Sequence, residues 1–337
     1  MYYPLKLRPI YKDYIWGGRN LEKYKKHLPE GIIAESWELS CLNDNLSVII
    51  NGKDEGKTLQ ELIFSDKSGF LGENYNGLGE IFPLLFKIID AQDDLSIQVH
   101  PNDYYANKFE KGQFGKTEIW YVIDAKKDAS IIFGFKDGLK EEYIKKSIRE
   151  NKQNELYNEV KVQKGDIIYI PSGTVHAIKS GLIIAEIQQS SNLTYRIYDY
   201  DRKRDGQRRE LHIDKALDVI DINLKGYIHN GLKIKNGNIN TRILSLSKYF
   251  NIKEFMVKDD CIEFSTEDCF NVIMMIEGNA YIECDKNKIE ISAIETFFIP
   301  AKIDKYRIIG SFKIIHISIP KSDKYILDVM KNIGFNI

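Results

Sequence analysis

The sequence predicts a mostly β chain, with helices confined to insertions between strands. Three stretches carry that reading. From Phe250 onward, apolar runs follow one another closely: FNIKEFMV, FNVIMMIEG, NAYIEC, KIEIS, TFFIP and FKIIHISIP, parted by polar turn residues. Short strands at regular spacing argue a β-sandwich or barrel. Leu95, Ile97 and Val99 alternate with Ser96, Gln98 and His100, the period of a strand. Residues 139–158, LKEEYIKKSIRENKQNELYN, are charged with helical spacing and predict one or two surface helices inserted between strands.

The elements follow in order. A Trp16-Gly17-Gly18 turn lies among scattered aromatics. IIAESWELS (32–40) reads as a strand carrying Glu35 and Trp37 among apolar neighbours, and SVIING (47–52) as another, ended by Gly52. TLQELIF (58–64) has helical spacing, with Thr58 as N-cap and Glu61 three residues on, a capping-box pattern. FPLLFKIIDA (82–91) is an apolar run that buries as a strand or a short helix, because periodicity alone does not choose. Pro101 and Asn102 end the 95–99 strand, and a polar loop runs to Gly115. Glu118 opens the next strand, rich in β-branched and aromatic residues. ASIIFGF (129–135) is a strand. VKVQKGDIIYIPSGTVHAI (160–178) gives two strands around a Lys164-Gly165-Asp166 turn and ends on His176. LIIAEIQQ (182–189) and TYRIYDYDR (194–202) follow, then a short helix, IDKALDVI (213–220). The glycine- and asparagine-rich segment Gly226 to Asn240 is the candidate boundary. A last helix, KYILDVMKNIG, is expected near the end of the chain.

A chain of 337 residues suggests two domains at about 150 residues each. Its 43% hydrophobic residues suffice for two cores. Lys and Arg number 48 against 49 Asp and Glu, so charge gives no reason to expect a nucleic-acid or membrane-surface partner. The first residues lack a secretory apolar core, and no apolar run reaches the ~18 residues of a membrane span. Cys41, Cys261, Cys269 and Cys284 form no C-x-x-C pair, which fits reduced thiols in a cytoplasmic protein.

The chemistry centres on Leu95 to Tyr121 and on His176. Gln98 and His100 share one face of a strand, Glu118 opens the next, and a bend at Pro171, Ser172 and Gly173 can aim His176 inward. Two imidazoles, a carboxylate and an amide oxygen suit zinc, and also Fe(II), Mn(II) or Co(II), with positions left open for water or substrate. Metal affinity is expected to fall in acid, because imidazoles ligate only when neutral. A lone histidine on a strand is more often a core residue, and His27, His212, His229 and His316 take that role. Glu186 interrupts an apolar strand, and a buried carboxylate needs a partner or a function. Arg196 either pairs with Glu186 or presents its guanidinium to a substrate anion.

WGG, AESWELS, FPLLFKIIDAQDDLSIQVHPND, GKTEIWYVID, GDIIYIPSGTVHAI and TYRIYDYDR together resemble the type I mannose-6-phosphate isomerases, in their short bacterial form. The resemblance implies a cupin fold, a double-stranded jelly roll, and interconversion of mannose 6-phosphate and fructose 6-phosphate with one zinc ion. It places His100, Glu118 and His176 on the zinc ligands, Gln98 on an additional amide ligand and Arg196 on an essential arginine. Ser96, Lys87 and Lys116 fall on or near positions that hold the sugar phosphate, and Glu186 on an acidic residue lining the pocket. The base is Glu186, a metal-bound water or a ligand acting transiently. A cytoplasmic monomer or homodimer is expected.

The expected domains are 1–235, a catalytic cupin with a helical insertion at about 137–159, and 236–337, a second, metal-free jelly roll. An echo supports the repeat. Aligning Pro171 with Pro300 sets Asp166 on Glu295 and His176 on Lys305, and a charged ammonium cannot ligate a metal. Two rivals remain at this point: an Fe(II) oxygenase, which would show oxygen uptake, and a non-catalytic sugar-binding protein, which would fail a mannose 6-phosphate assay.

Overall fold

The computed structural model describes residues 2–25, 27–72, 82–153, 155–224, 227–266, 269–285 and 287–320. The first part of the chain builds two antiparallel sheets. The smaller one runs, strand by neighbouring strand, Tyr157–Lys161, Ser130–Phe135, His176–Ile178, Ile97–Val99 and Tyr195–Tyr198. The larger runs Tyr227–His229, Ile167–Ile170, Glu118–Ala125, Leu182–Gln189, Leu84–Ala91, Glu35–Leu39 and Ile10–Lys12. They face each other across Trp120, Val122 and Ile184 on one side and Ile131, Phe133 and Ile178 on the other. This is the jelly roll, and the site opens at one end of it.

The larger sheet is covered on both faces. Its other face, with Phe86, Ile88, Ile119 and Ile187, packs on Phe250, Ile252, Val272 and Ile315 from the C-terminal sheet. Every residue of Leu84–Ala91 and of Leu182–Gln189 is therefore buried. That settles the 82–91 run as a strand: a strand covered on both sides reads as continuous apolar sequence.

Among the described residues the C-terminal sheet has nine strands. It includes Leu5–Arg8, which pairs with Thr296–Ile299, and Val48–Ile49, which pairs with Leu5–Arg8. Its long strands, Asn251–Ser265, Asn271–Cys284 and Lys305–Ser318, wrap a second core around Phe255, Phe264, Ile273 and Ile308. FNVIMMIEG and NAYIEC were expected as separate strands; they form one. Between them the register slips at Met275/Glu277, and Gly278 takes φ +88, where a Cβ would lie 2.3 Å from the Ser311 carbonyl. A glycine-centred bulge bends the strand instead of ending it.

Other expectations shift as well. The polar loop before Gly115 contains a helix, Asp103–Phe109, whose first turn is capped by the Asn102 side chain accepting from Tyr105 N at 2.9 Å. The charged insertion forms one helix, Glu141–Arg149, and then a strand from Tyr157. The Lys164–Asp166 turn joins strands of different sheets. The segment expected as the boundary carries strands of both sheets: Tyr227–His229 closes the larger sheet of the first part, and Leu232–Asn236 belongs to the C-terminal one. Gly226 and the expected last helix lie outside the described residues.

The aligned turns have the same hydrogen bonds. Gln163 N donates to Asp166 Oδ2 at 2.9 Å, and Ser292 N to Glu295 Oε2 at 3.0 Å. Val122 N reaches Asp166 O at 3.0 Å, and Met275 N reaches Glu295 O at 3.1 Å. Thr174 N bonds Pro171 O, as Ile303 N bonds Pro300 O.

Candidate metal centre

Gln98 and His176 are register partners on the smaller sheet, and His100 follows that strand directly. Glu118 comes from the opposite sheet. The donors thus converge across the sandwich, not along neighbouring strands. His100 Nδ1 bonds Leu193 O at 2.7 Å and His176 Nδ1 bonds Thr174 O at 2.9 Å. A carbonyl can only accept, so each Nδ1 carries the proton and each Nε2 keeps its lone pair. His100 Nε2 stands 3.6 Å and His176 Nε2 3.3 Å from the Glu118 carboxylate. Two ligands ~2.1 Å from one tetrahedral ion would stand about 3.4 Å apart.

Both Glu118 oxygens are buried and accept no well-directed hydrogen bond among the described residues. An ammonium nevertheless lies close: Lys116 Nζ is 2.6 Å from Glu118 Oε2 and 3.1 Å from His100 Nε2. The donor set already attracts a cation, and together with the orphaned carboxylate it fits a divalent ion. Gln98 sets Nε2 3.4 Å from His176 Nε2 and accepts from Ser96 Oγ at 3.2 Å. Turning the amide over would bring its oxygen to the donor set.

Burial, and after it Lys116, pushes His100 well below the ordinary imidazole value; burial takes His176 down to about 4. Burial and the neighbouring Glu186 raise Glu118 to about 7, against the pull of Lys116. Burial also works to raise Glu186. Lys116, Lys87 and the Trp120 indole outweigh it, so Glu186 lies below its ordinary value and is ionised. Without metal, Glu118 is thus the ligand whose proton is lost at the higher pH, beside the imidazoles expected from sequence.

Glu186 pairs with lysines, not with an arginine. Its carboxylate is 3.4 Å from Lys87 Nζ and 3.7 Å from Lys116 Nζ, and accepts from Trp120 Nε1 at 2.9 Å. Lys87 also stands 3.6 Å from Glu35, whose carboxylate accepts from Trp37 Nε1 at 2.6 Å. Glu35, Lys87, Lys116 and Glu186 line a cleft of about 690 Å³ together with Trp16, Arg196 and Arg209. The Arg196 Nε is buried without an acceptor among the described residues. Sequence reasoning missed the place of Glu35 and Arg209. Glu35 gave the same signal as Glu186, an acid in an apolar strand; Arg209 was hidden in the charged run RKRDGQRRE.

The chain matches the family model described as phosphomannose isomerase type I, catalytic domain, over residues 5–117. It matches the model described as mannose-6-phosphate isomerase, cupin domain, over residues 240–319. It is 37% identical over 320 residues to a probable mannose-6-phosphate isomerase, GmuF, of Bacillus subtilis, covering 94% of this chain and 100% of that one. It is 40% identical over 276 residues to the mannose-6-phosphate isomerase ManA of the same organism, covering 82% of this chain and 86% of the other. Its fold is similar to the crystal structure of the Bacillus subtilis mannose 6-phosphate isomerase, with a TM-score of 0.86 and 32% identity over 93% of this chain and 99% of that one. His176, Glu186 and Arg196 lie between the two matched stretches.

Proposed function

This chain belongs to the type I mannose-6-phosphate isomerase family, and we propose that its aldose–ketose isomerisation runs on the residues of the cleft as follows. The reaction interconverts D-mannose 6-phosphate and D-fructose 6-phosphate through an enediol. His100, Glu118 and His176 would hold a divalent ion, with Gln98 beside them. The observation that carries this reading is the buried Glu118 carboxylate, which accepts no well-directed hydrogen bond among the described residues and faces two imidazoles that keep their Nε2 lone pairs. Two histidines and a carboxylate support zinc. When bound, the ion supplies a Lewis acid for the charge that develops on the C1 and C2 oxygens.

The protein residues supply the rest. Glu186 is the base: its Oε2 is fixed by Trp120, and its Oε1 takes the proton from C2 of mannose 6-phosphate and returns it to C1, while the O2 hydroxyl proton passes to O1. Its depressed pKa keeps it ionised and ready to accept. Lys87 and Lys116 donate to the sugar oxygens at this end; Lys116 lies within 3.7 Å of Glu186 and could pair there in place of Glu118. Ser96 orients the Gln98 amide. Arg196 holds anionic oxygen of the substrate. Catalysis belongs to residues 1–235, and the C-terminal jelly roll supports the larger sheet from behind. No helix among the described residues is long and apolar enough to cross a membrane; a cytoplasmic enzyme, monomeric or homodimeric, fits this chemistry.

The test couples fructose 6-phosphate formation from mannose 6-phosphate to a dye-linked readout, alongside metal analysis. The parent chain should turn over and carry one divalent ion, chiefly zinc. His176→Ala should lose most of both. Unchanged metal content in the variant would remove His176 from the ligand set.

A further inference from the structure

We infer that Gln188 is a positioning residue for His100: its amide clamps the bend that follows the strand Leu182–Gln189, and the bend carries the carbonyl that holds the His100 ring. The inference rests on the metal reading above and adds what keeps one ligand of that set in place.

The two histidines are held in different ways. His176 Nδ1 bonds Thr174 O, two residues away, in a turn that Thr174 N closes on Pro171 O. Its acceptor comes with its own backbone. His100 Nδ1 bonds Leu193 O, 93 residues further along the chain. That carbonyl belongs to the connection between Leu182–Gln189 and Tyr195–Tyr198. It meets the imidazole only if the connection is itself held.

Buried polar side chains hold it. Gln188, Gln189, Ser190 and Ser191 are all buried. Ser191 N closes a tight three-residue turn on Gln189 O at 2.7 Å. Gln188 Nε2 donates to Gln189 O at 3.0 Å and to Ser191 O at 2.5 Å, so one amide spans the turn. Ser191 Oγ donates to Phe114 O at 2.9 Å and accepts from Leu193 N at 3.4 Å, which carries the constraint on to Leu193.

The orientation of the Gln188 amide is fixed. Its N–H groups face carbonyls, which only accept, so turning the amide over would set oxygen against oxygen. Its Oε1 is buried and has no donor among the described residues. A buried acceptor without a donor is costly, and a methionine would fill the same space without it. The two bonds to the turn are what a glutamine supplies there and a methionine does not. Gln188 is also the register partner of Glu118. Register partners share a face, so the clamp stands directly beside the ligand set.

The experiment reads Zn²⁺ affinity by chelator competition. It also reads, by proton NMR, the solvent exchange of the two imidazole Nδ1 protons. The proteins are the parent, Gln188→Met, Ser191→Ala and Ser190→Ala. Gln188→Met should raise the Zn²⁺ dissociation constant by about 10- to 100-fold, as loss of support behind a ligand does. The His100 Nδ1 proton should exchange faster, while that of His176, held by its own turn, keeps its rate. Ser191→Ala should act in the same direction by less. Ser190→Ala should change neither reading, because its Oγ has no partner among the described residues. Zn²⁺ affinity within twofold of the parent in Gln188→Met would overturn the clamp. So would both protons exchanging faster alike, the mark of general loosening. If Gln188→Met does not fold, Ser191→Ala decides on the same two readings. A parent that takes up no Zn²⁺ would sink the metal reading, and exchange of the His100 proton in the metal-free chain would still decide the clamp.

Discussion

Glu118 shows how a single residue's surroundings set its chemistry. Its carboxylate is buried, faces another carboxylate, and without metal titrates at about 7. Metal needs the ionised form. Above that midpoint the affinity should be flat; below it each ion must displace a proton, and affinity should fall by up to about tenfold per pH unit. The imidazoles add nothing until much lower pH, since His176 is neutral down to about 4 and His100 lies well below its usual range. Calorimetric titration of the metal-free protein with Zn²⁺, in two buffers of different ionisation enthalpy between pH 5 and 8, reads both affinity and protons released. Close to one proton per ion on the acid side of the midpoint is expected. Two protons, released around pH 6.5, would return the effect to the histidines.

At the scale of elements, local chemistry predicts well where neighbours do not interfere. The helix Leu59–Ser65 carries the expected capping box: Glu61 N donates to Thr58 Oγ1 at 3.1 Å, and Thr58 N donates to Glu61 Oε2 at 2.7 Å. Thr58→Ala should cost about 1 kcal/mol in urea unfolding, and activity should stay as it was, because no residue of this helix lines the cleft. Loss of activity at full stability would mean that the helix has a role beyond packing. The helix Asp103–Phe109 carries a comparable Asn102 cap, yet its polar sequence hid it, since it buries only Ala106.

Across the whole molecule, the two halves share one continuous core, and a polar strut crosses between them. Tyr249 of the C-terminal half donates to Asp103 Oδ2 at 2.9 Å. Asp103 Oδ1 accepts from Gly115 N at 3.0 Å and from Gln189 Nε2 at 2.9 Å, and Gln189 Oε1 accepts from Thr117 N at 2.9 Å. The backbone on both sides of Lys116, next to Glu118, is thereby tied to the second jelly roll. Tyr249→Phe should lose about 1 kcal/mol of stability and, without touching substrate, should weaken metal binding several-fold, as changes behind a ligand do. Equilibrium unfolding and Zn²⁺ titration check the two effects; normal metal affinity in a destabilised variant would confine Tyr249 to packing.

The sequence by itself determined the strand-rich character of the chain, the alternation that puts Gln98 on one face of its strand with His100 next to it, the capping box at Thr58, and the residues that could bind a metal. Each of these depends on neighbours a few positions away, where backbone geometry fixes which side chains share a face. Only the tertiary structure decided the rest. It set Glu118 on the sheet opposite the histidines, gave Glu186 two lysines in place of an arginine, and joined Leu5–Arg8 to a sheet made nearly 300 residues later. It also brought Arg209 up to Arg196. These pairings are between residues far apart in the chain, and the charge a buried group carries depends on which partners close around it. No local pattern records either.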